Sequence, residues 1–363
     1  MTGVYVHIPF CRRKCPYCDF FSVCADEERM EQYTSLLCTR IGEYAEKYPR
    51  RADTLYFGGG TPSITGEERL CRIYKYVDEK FGLAEGAEVT LEVNPEKRDI
   101  DFERLRKSGF NRVSVGLQSA DDNELKLLGR LHSRSDAEKC VNSARKAGFD
   151  NISLDLMIAT PSQTKESLKR SVAFCAEQRA AHISAYLLKI EKDTPYYSMR
   201  NKLDLRDDDA QAEMYLFAAE ELAKYGYYQY EISNFSLSGY ESRHNLIYWH
   251  DEEYFGFGPA AHSFIDGRRY HYERSFESFY NDELICDGAG GDEEEFIMLG
   301  LRLAEGITNE RYRMRFGKDI PQEYIKRAQQ LIPAGLIQAD KNGIRLTAEG
   351  FLVSNAVIAV ILG

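Results

Sequence analysis

The chain has 363 residues, 43% of them hydrophobic, so it can bury a large core in two domains or in one barrel with an appendage. Its formal net charge of −11 argues against a nucleic-acid partner, because such partners require a basic surface. No stretch has the roughly 20 apolar residues of a membrane-spanning helix. Nine unevenly spaced cysteines, and a first ten residues that read as a strand rather than an export signal, predict a cytoplasmic location.

Short β-rich segments alternate with helical segments through the first two-thirds of the chain. The predicted strands lie at residues 4–8, 54–57, 88–93, 112–117, 152–156 and 182–187. The predicted helices lie at residues 26–48, 66–81, 101–108, 134–147, 164–178 and 207–224. Strict alternation of this kind predicts right-handed βαβ units and a parallel sheet.

Three consecutive strands have one aliphatic and one polar face, because successive residues of a strand point to opposite sides. The polar faces consist of Thr90, Glu92 and Asn94, then Ser114, Gly116 and Gln118, then Ser153, Asp155 and Met157. A parallel sheet covered by helices on both sides would be apolar on both faces. A polar face therefore favours a barrel whose interior or mouth binds a ligand, and we expect that barrel to be incomplete.

The last third of the chain follows a different pattern. From about residue 293 it reads as helices, a hairpin over 337–347 that turns at Lys341-Asn342-Gly343, and a closing helix. We expect a small C-terminal helical domain of winged-helix-like type. The predicted division is a barrel over 1–235, an extension over 236–290 and a C-terminal domain over 291–363.

The closing helix is apolar around much of its circumference from residue 352 to residue 362. This composition leaves open a peripheral contact with a membrane. The segment lacks the basic face that helices at a membrane surface usually carry, so burial against the preceding hairpin is the favoured interpretation.

Three cysteines, Cys11, Cys15 and Cys18, follow the first strand at once, where a barrel places its active-site loops. Three thiolates within eight residues can hold a 4Fe-4S cluster that leaves one iron without a protein ligand. The three basic residues between the first two cysteines would favour thiolates. The alternative is a zinc site with His7 or His132 as the fourth ligand, although zinc motifs usually contain a second C-x-x-C pair.

The run Tyr5-Val6-His7-Ile8-Pro9-Phe10-Cys11, with its C-x3-C-x2-C spacing, resembles the signature of the radical S-adenosylmethionine superfamily. More narrowly, it is similar to the branch that contains the oxygen-independent coproporphyrinogen III oxidases and the HemW heme chaperones. The resemblance implies a partial (β/α)6 TIM-like barrel, a 4Fe-4S cluster on three cysteines, and S-adenosylmethionine at the open iron.

The resemblance also implies which residues contact S-adenosylmethionine. Gly59, Gly60 and Thr61, after the second strand, match the segment that contacts the amino group, and Arg130 matches the arginine for the carboxylate. Polar residues at the strand ends would complete a ligand site of convergent groups at the barrel mouth. The full expected set is Tyr5, Tyr17, Gly59, Gly60, Thr61, Glu92, Gln118, Arg130 and Asp155.

Two features separate the oxidases from the chaperones. The oxidases have a fourth cysteine two residues after the third, where this chain has Phe20. The segment His244-Asn245-Leu246-Ile247-Tyr248-Trp249 reproduces the H-N-x-x-Y-W motif of the HemW branch. The resemblance therefore implies a heme site that comprises His244, Asn245, Tyr248 and Trp249.

Neutral imidazole is a good axial ligand for heme iron, and aromatic rings can cover a porphyrin. Residue chemistry alone favours a structural role, in which His244 caps a turn and Trp249 anchors a small core, and only the motif match favours heme. The leading hypothesis is a heme chaperone that passes heme to an apoprotein, for example a respiratory enzyme, with no coproporphyrinogen oxidase activity. The alternatives are a coproporphyrinogen III oxidase and a zinc-stapled barrel without a redox role.

Overall fold

The computed structural model describes residues 1–96 and 99–363, and six parallel strands form its centre. These strands pair in chain order: β1 (Thr2–Ile8), β2 (Ala52–Gly59), β3 (Leu83–Val93), β4 (Arg112–Gln118), β5 (Asn151–Ile158) and β6 (His182–Leu187). The intervening helices are α1 (Glu27–Lys47), α2 (Glu67–Phe81), α3 (Phe102–Ser108), α4 (Asp122–Leu127), α5 (Arg134–Lys146) and α6 (Lys165–Glu177). After β6 come α7 (Pro195–Met199) and α8 (Asp208–Lys224). This is the predicted partial (β/α)6 barrel.

The two faces of the sheet separate as the alternation predicts. The aliphatic residues that alternate with the polar positions of β3 to β5 are at most 2% exposed and join the hydrophobic core under the helices: Val89, Leu91, Val93, Val113, Val115, Leu117, Ile152, Leu154 and Leu156. The polar residues face the barrel interior, where hydrogen bonds connect one strand to the next. Tyr56 donates to Glu92 over 2.8 Å, and Ser114 donates to Asp155 over 2.9 Å. The interior is therefore a polar network rather than a second apolar core.

Within the described residues, short strands extend the sheet on both sides to a total of 12 strands. Beyond β6 lie β8 (Asn234–Ser236) and β7 (Tyr228–Glu231). A helix, α9 (Arg243–Trp249), precedes β9 (Glu253–Phe257), which pairs in parallel with β1. Antiparallel strands then follow: β10 (His262–Ile265), β11 (Arg268–Tyr272) and, after α10 (Phe276–Tyr280), β12 (Leu284–Ala289).

The C-terminal region combines helices with a three-stranded sheet that contains the predicted hairpin. It comprises α11 (Glu293–Gly300), β13 (Ile307–Thr308), α12 (Asn309–Phe316), α13 (Gln322–Gln329), β14 (Ile337–Asp340), β15 (Gly343–Leu346), α14 (Ala348–Leu352) and α15 (Ser354–Leu362). The region meets the barrel side of the molecule at β7, where the amide of Ile232 donates to the carbonyl of Arg302 over 2.9 Å. The domain limits given above remain a prediction.

The closing helix α15 packs mainly against α13. Arg327 of α13 donates to the carbonyls of Ile361 and Leu362, at 3.1 and 2.7 Å, and the apolar face of α15 is buried. The expectation of burial was right, but the main partner is this helix rather than the hairpin. Nowhere in the described chain is a helix both long and apolar enough to cross a bilayer.

Candidate functional site

The three cysteines lie in the loop between β1 and α1, at the carboxyl end of the barrel. Backbone hydrogen bonds between residue 23 and residues 9 and 11 close the base of this loop. His7, the last inward residue of β1, reaches the carbonyl of Phe21 with its Nε2 atom at 3.0 Å. The loop therefore has a defined shape over the barrel mouth.

The glycine-rich segment after β2 is bonded directly to the cysteine loop. The amide of Gly60 donates to Ile8, and that of Thr61 donates to Phe10, at 2.9 and 2.7 Å. The hydroxyl of Thr61 lies 3.4 Å from the sulfur of Cys11. A Cβ atom on Gly60 would lie 2.6 Å from the carbonyl oxygen of Phe10, so only glycine allows this approach.

Arg130 connects the cysteine loop to the ends of two strands. One guanidinium nitrogen donates to the side chain of Asn94 at 2.6 Å and to the carbonyl of Gly116 at 2.8 Å. The other approaches the hydroxyl of Tyr17 at 3.4 Å and the sulfur of Cys15 at 3.9 Å. The structure thus brings Arg130, Tyr17 and Cys15 together, as the sequence predicted for one site.

Two partly buried carboxyl groups lie below the mouth. Glu92 accepts hydrogen bonds from Tyr56 and from the amide of Gly59, and Asp155 accepts one from Ser114. Burial raises the pKa of Glu92 to about 7 and that of Asp155 to about 6, although the hydrogen bonds oppose the shift. Carboxyl groups held in this way can bind an ammonium or a hydroxyl group of a ligand.

Strained backbone marks the ends of two strands beside these groups. Gln118 and Ala159 have positive φ angles of 67° and 59°, which are uncommon for residues other than glycine. The amide oxygen of Gln118 accepts a hydrogen bond from Tyr186 at 2.9 Å. The strain fixes where the ends of β4 and β5 direct their side chains.

The predicted heme-binding residues occupy the opposite end of the barrel. The ring of His244 in α9 would lie 3.3 Å from a Cβ atom added to Gly3, near the beginning of β1. The cysteine loop begins about six residues further along that strand, on the order of 20 Å away at about 3.3 Å per residue. The structure does not bring the cluster ligands and His244 together.

His244 is almost completely buried, at 1% exposure, and both of its ring nitrogens are hydrogen-bonded. Nδ1 lies 2.6 Å from the hydroxyl of Thr54, and Nε2 lies 2.8 Å from that of Tyr248. The ring stacks on Tyr56 with centroids 5.0 Å apart. Burial lowers the pKa of His244 to about 3, so the imidazole is neutral at physiological pH. Asn245 and Trp249 are half-buried on the same helix.

Tyr5 lies deeper in the barrel than Tyr17. Its hydroxyl is 3.1 Å from Nδ1 of His7, and its ring lies 6.3 Å from that of His244, measured between centroids. Tyr5 is therefore placed between the cysteine end and the α9 end of the interior. A contact between Tyr5 and S-adenosylmethionine stays a prediction.

Two further residues line the mouth and were not among the predicted site residues. Asn94 bridges Thr61 and Arg130, and Tyr186 bonds to Gln118. In β6, His182, Ser184 and Tyr186 share one face. The alternation argument applied to β3, β4 and β5 would have identified Tyr186 as well.

The donor set fits an iron–sulfur cluster. Burial raises the pKa of the Cys11 and Cys18 thiols, and each is raised further by the charge of neighbouring cysteines. A positively charged iron centre would offset the cost of deprotonating these thiols and would bind the resulting thiolates.

Comparison with known proteins agrees with this geometry. Residues 5–175 match the radical SAM superfamily, and residues 293–353 match the HemN C-terminal domain. The chain is 34% identical to the heme chaperone HemW of Bacillus subtilis over 100% of both chains. It is 35% identical to that of Lactococcus lactis, over 98% of this chain and 96% of the relative.

The chain belongs to the HemW family. A mitochondrial relative from Danio rerio, radical S-adenosyl methionine domain-containing protein 1, is 31% identical over 99% of this chain and 87% of its own length. Among solved structures, the coproporphyrinogen III oxidase HemN of Escherichia coli covers 99% of this chain and 89% of its own, with a TM-score of 0.84. At 22% identity, that likeness shows a shared fold and nothing about activity.

Proposed function

We propose that this protein is a cytoplasmic heme chaperone that binds heme and transfers it to an acceptor apoprotein, for example a respiratory enzyme. The observation that carries the proposal is the H-N-x-x-Y-W helix of a chain related over its whole length to HemW heme chaperones. Phe20 supports it, because this side chain, 67% exposed, stands where the oxidases have a cysteine.

The proposed cofactors are a 4Fe-4S cluster on Cys11, Cys15 and Cys18, and S-adenosylmethionine at the barrel mouth. S-adenosylmethionine would supply amino, carboxylate and ribose groups to the donors and acceptors that line the mouth. Arg130 offers a cation for the carboxylate, and Glu92 and Asp155 offer acceptors for hydrogen-bond donors. Tyr5, Tyr17, Gly59, Gly60, Thr61 and Gln118 complete the proposed contacts.

Heme binding through His244 requires a change in α9. Both ring nitrogens are hydrogen-bonded in this structure, so an iron bond must replace the contact with either Thr54 or Tyr248. The neutral state of the buried imidazole is the one that can coordinate iron. We therefore propose that α9 moves, with His244, when heme enters.

Hemin titration of the anaerobically reconstituted protein tests this function. We expect a defined Soret band that His244→Ala weakens or shifts, with the cluster spectrum retained because the two sites lie at opposite ends of the barrel. Trp249→Ala should weaken binding less, since it removes stacking area rather than an iron bond. His250→Ala is the matched control, because His250 directly follows α9 and pairs with Glu305 at 3.6 Å.

Two results would contradict the proposal. Equal loss of the Soret band from His244→Ala and His250→Ala would mean that hemin binds nonspecifically to histidines. Turnover of coproporphyrinogen III by the wild-type protein would instead favour the oxidase.

A further inference from the structure

Two histidines and an aspartate form a cluster on the sheet extension, and neither of the proposed sites uses them. His262 begins β10, His271 lies in β11, and Asp287 lies in β12. One potential ligand atom from each residue lies within 4.8 Å of the others. Of all the described residues, these three alone form such a group.

The two histidines are direct partners in the antiparallel pairing of β10 with β11. Directly opposite residues place their side chains on the same face, about 5 Å apart at Cβ. The imidazole rings accordingly stack with centroids 5.4 Å apart and an interplanar angle of 26°. The two imidazole rings therefore lie on one face of the sheet.

A β-bulge adds Asp287 to the pair. Arg269 pairs with Gly288 and Tyr270 pairs with Cys286. The pairing register therefore shifts at this point, and Asp287 is the extra residue of β12. Bulges of this kind redirect a side chain, and they are frequent next to functional sites. Asp287 directs both carboxylate oxygens at Nδ1 of His271, at 2.8 and 2.9 Å.

The surroundings of the cluster suit a metal ion that exchanges with solvent. The side chains of His271 and Asp287 are 24% and 38% exposed, and His262 is exposed. Glu273 lies 4.0 Å from Nε2 of His271 and could support it as a second carboxylate. No hydrogen bond within the described chain satisfies the ring of His262, whereas His271 is held by Asp287.

We propose that His262, His271 and Asp287 form a binding site for a divalent transition-metal ion such as Zn²⁺. Two imidazoles and one carboxylate are a donor set that zinc accepts at about 2.0–2.2 Å, with ligand atoms then about 3–4 Å apart. Small side-chain rotations bring the observed atoms into that range. Three protein ligands leave at least one coordination position for water or for a group from another molecule.

Isothermal titration of the protein with Zn²⁺ tests this site. The cluster is reconstituted first and no heme is added, so that Cys11, Cys15 and Cys18 are occupied. We expect one Zn²⁺ per chain, with binding weakened about 100-fold in His262→Ala and in Asp287→Ala. Retention of the cluster spectrum and of the thermal midpoint shows that each variant is folded.

Cys286→Ser is the matched control. Cys286 is an exposed thiol next to Asp287 in sequence, but it pairs with Tyr270 and contacts Arg268, on the other face of the strand. We expect unchanged zinc binding in this variant, and X-ray absorption at the zinc edge should report nitrogen and oxygen ligands only. Loss of binding in Cys286→Ser, sulfur ligands, or equal weak binding by every variant would overturn the proposal.

Discussion

Cys15 is the residue whose replacement best distinguishes a cluster from a collection of ordinary thiols. Its sulfur lies beside Arg130, and two other cysteines flank it in the same loop. We expect wild-type protein to carry about four irons per chain, and Cys15→Ser to lose nearly all of them without unfolding the barrel. Iron and sulfide analysis with far-ultraviolet circular dichroism measures both effects.

Cys24→Ser provides the control for that experiment. Cys24 is exposed and donates to the carbonyl of Arg12, so it lies close to the cysteine loop without being one of the predicted ligands. Equal loss of iron from Cys15→Ser and Cys24→Ser would contradict the assignment, as would one zinc and no sulfide in the wild type.

Glu92 should make the stability of the cluster-free protein depend on pH. Burial raises its pKa from 4.5 to about 7, so between those values the folded state holds a proton that the unfolded state has lost. The free energy of unfolding therefore falls as pH rises through this window, by on the order of 3 kcal/mol for this group. Glu92→Gln, which mimics the protonated form, should remove this contribution.

Urea titrations of wild type and Glu92→Gln from pH 4.5 to pH 8 measure the effect. Asp155 and other acids also titrate in this range. The effect of Glu92 is therefore given by the difference in the free energy of unfolding between the two proteins. The variant should gain stability relative to wild type as pH rises. A difference that does not change with pH would show that Glu92 remains ionised in the folded protein.

At the scale of elements, α9 is held against the barrel through its first turn. The carboxylate of Glu88 in β3 accepts from the amide of Arg243 at 3.1 Å and from that of His244 at 3.0 Å. Glu88→Gln replaces one of these acceptors by an amide nitrogen, which should cost about 1–3 kcal/mol of stability. If α9 must move for heme to enter, the same variant should also bind hemin faster.

Stopped-flow mixing with hemin, together with urea titration, measures both quantities. Glu85→Gln is the matched control, because Glu85 is exposed three residues earlier in the same strand. A Glu88→Gln protein that is destabilised but binds hemin no faster than Glu85→Gln would argue against movement of α9.

The elements differ in how well the sequence predicts them. The six parallel strands and their helices have regular alternation, so their position and their polar face could be predicted. The short strands added at the two edges of the sheet have three to six residues each and are rich in aromatic side chains. Their pairing with distant strands defines them. Local pattern does not contain that information.

The site shows the same contrast. The spacing of the cysteines and the polar residues at the strand ends predicted which side chains lie at the barrel mouth. Arg130 does lie beside Cys15. The sequence could not predict that His244 lies at the other end of the barrel with both ring nitrogens bonded. Those contacts depend on Thr54, which is 190 residues away in the chain.

At the scale of the whole molecule, one buried carboxylate connects the extension to the C-terminal region. Asp251, with a fully buried side chain, accepts from Arg269 of β11 at 2.9 Å and from Arg315 of α12 at 3.2 Å. Arg269 also binds Glu295 of α11. Burial raises the pKa of Asp251 to about 6, although the two arginines act to lower it. The carboxylate thus joins the turn after α9 to β11 and α12, and Arg269 extends the network to α11.

Asp251→Asn should destabilise this junction. Asparagine has nearly the same shape and tolerates the positive φ of 55° at this position, so the substitution removes mainly the charge. Losing the charge-assisted hydrogen bonds to the two arginines, whose side chains are 23% and 39% exposed, should cost about 1–3 kcal/mol, reduced because the buried carboxylate no longer has to be held in its ionised form. Trp249, the only tryptophan of the chain, lies two residues away in sequence, so its fluorescence should report the unfolding of this junction during urea titration.

Asp319→Asn is the matched control, since Asp319 pairs with Arg313 in the same region but both side chains are more than half exposed. An exposed pair of this kind contributes at most about 1 kcal/mol. We therefore expect the midpoint of unfolding to shift further for Asp251→Asn than for Asp319→Asn. If the two variants unfold at the same urea concentration, the buried carboxylate does not hold the extension to the C-terminal region, and the contact through β7 must do so.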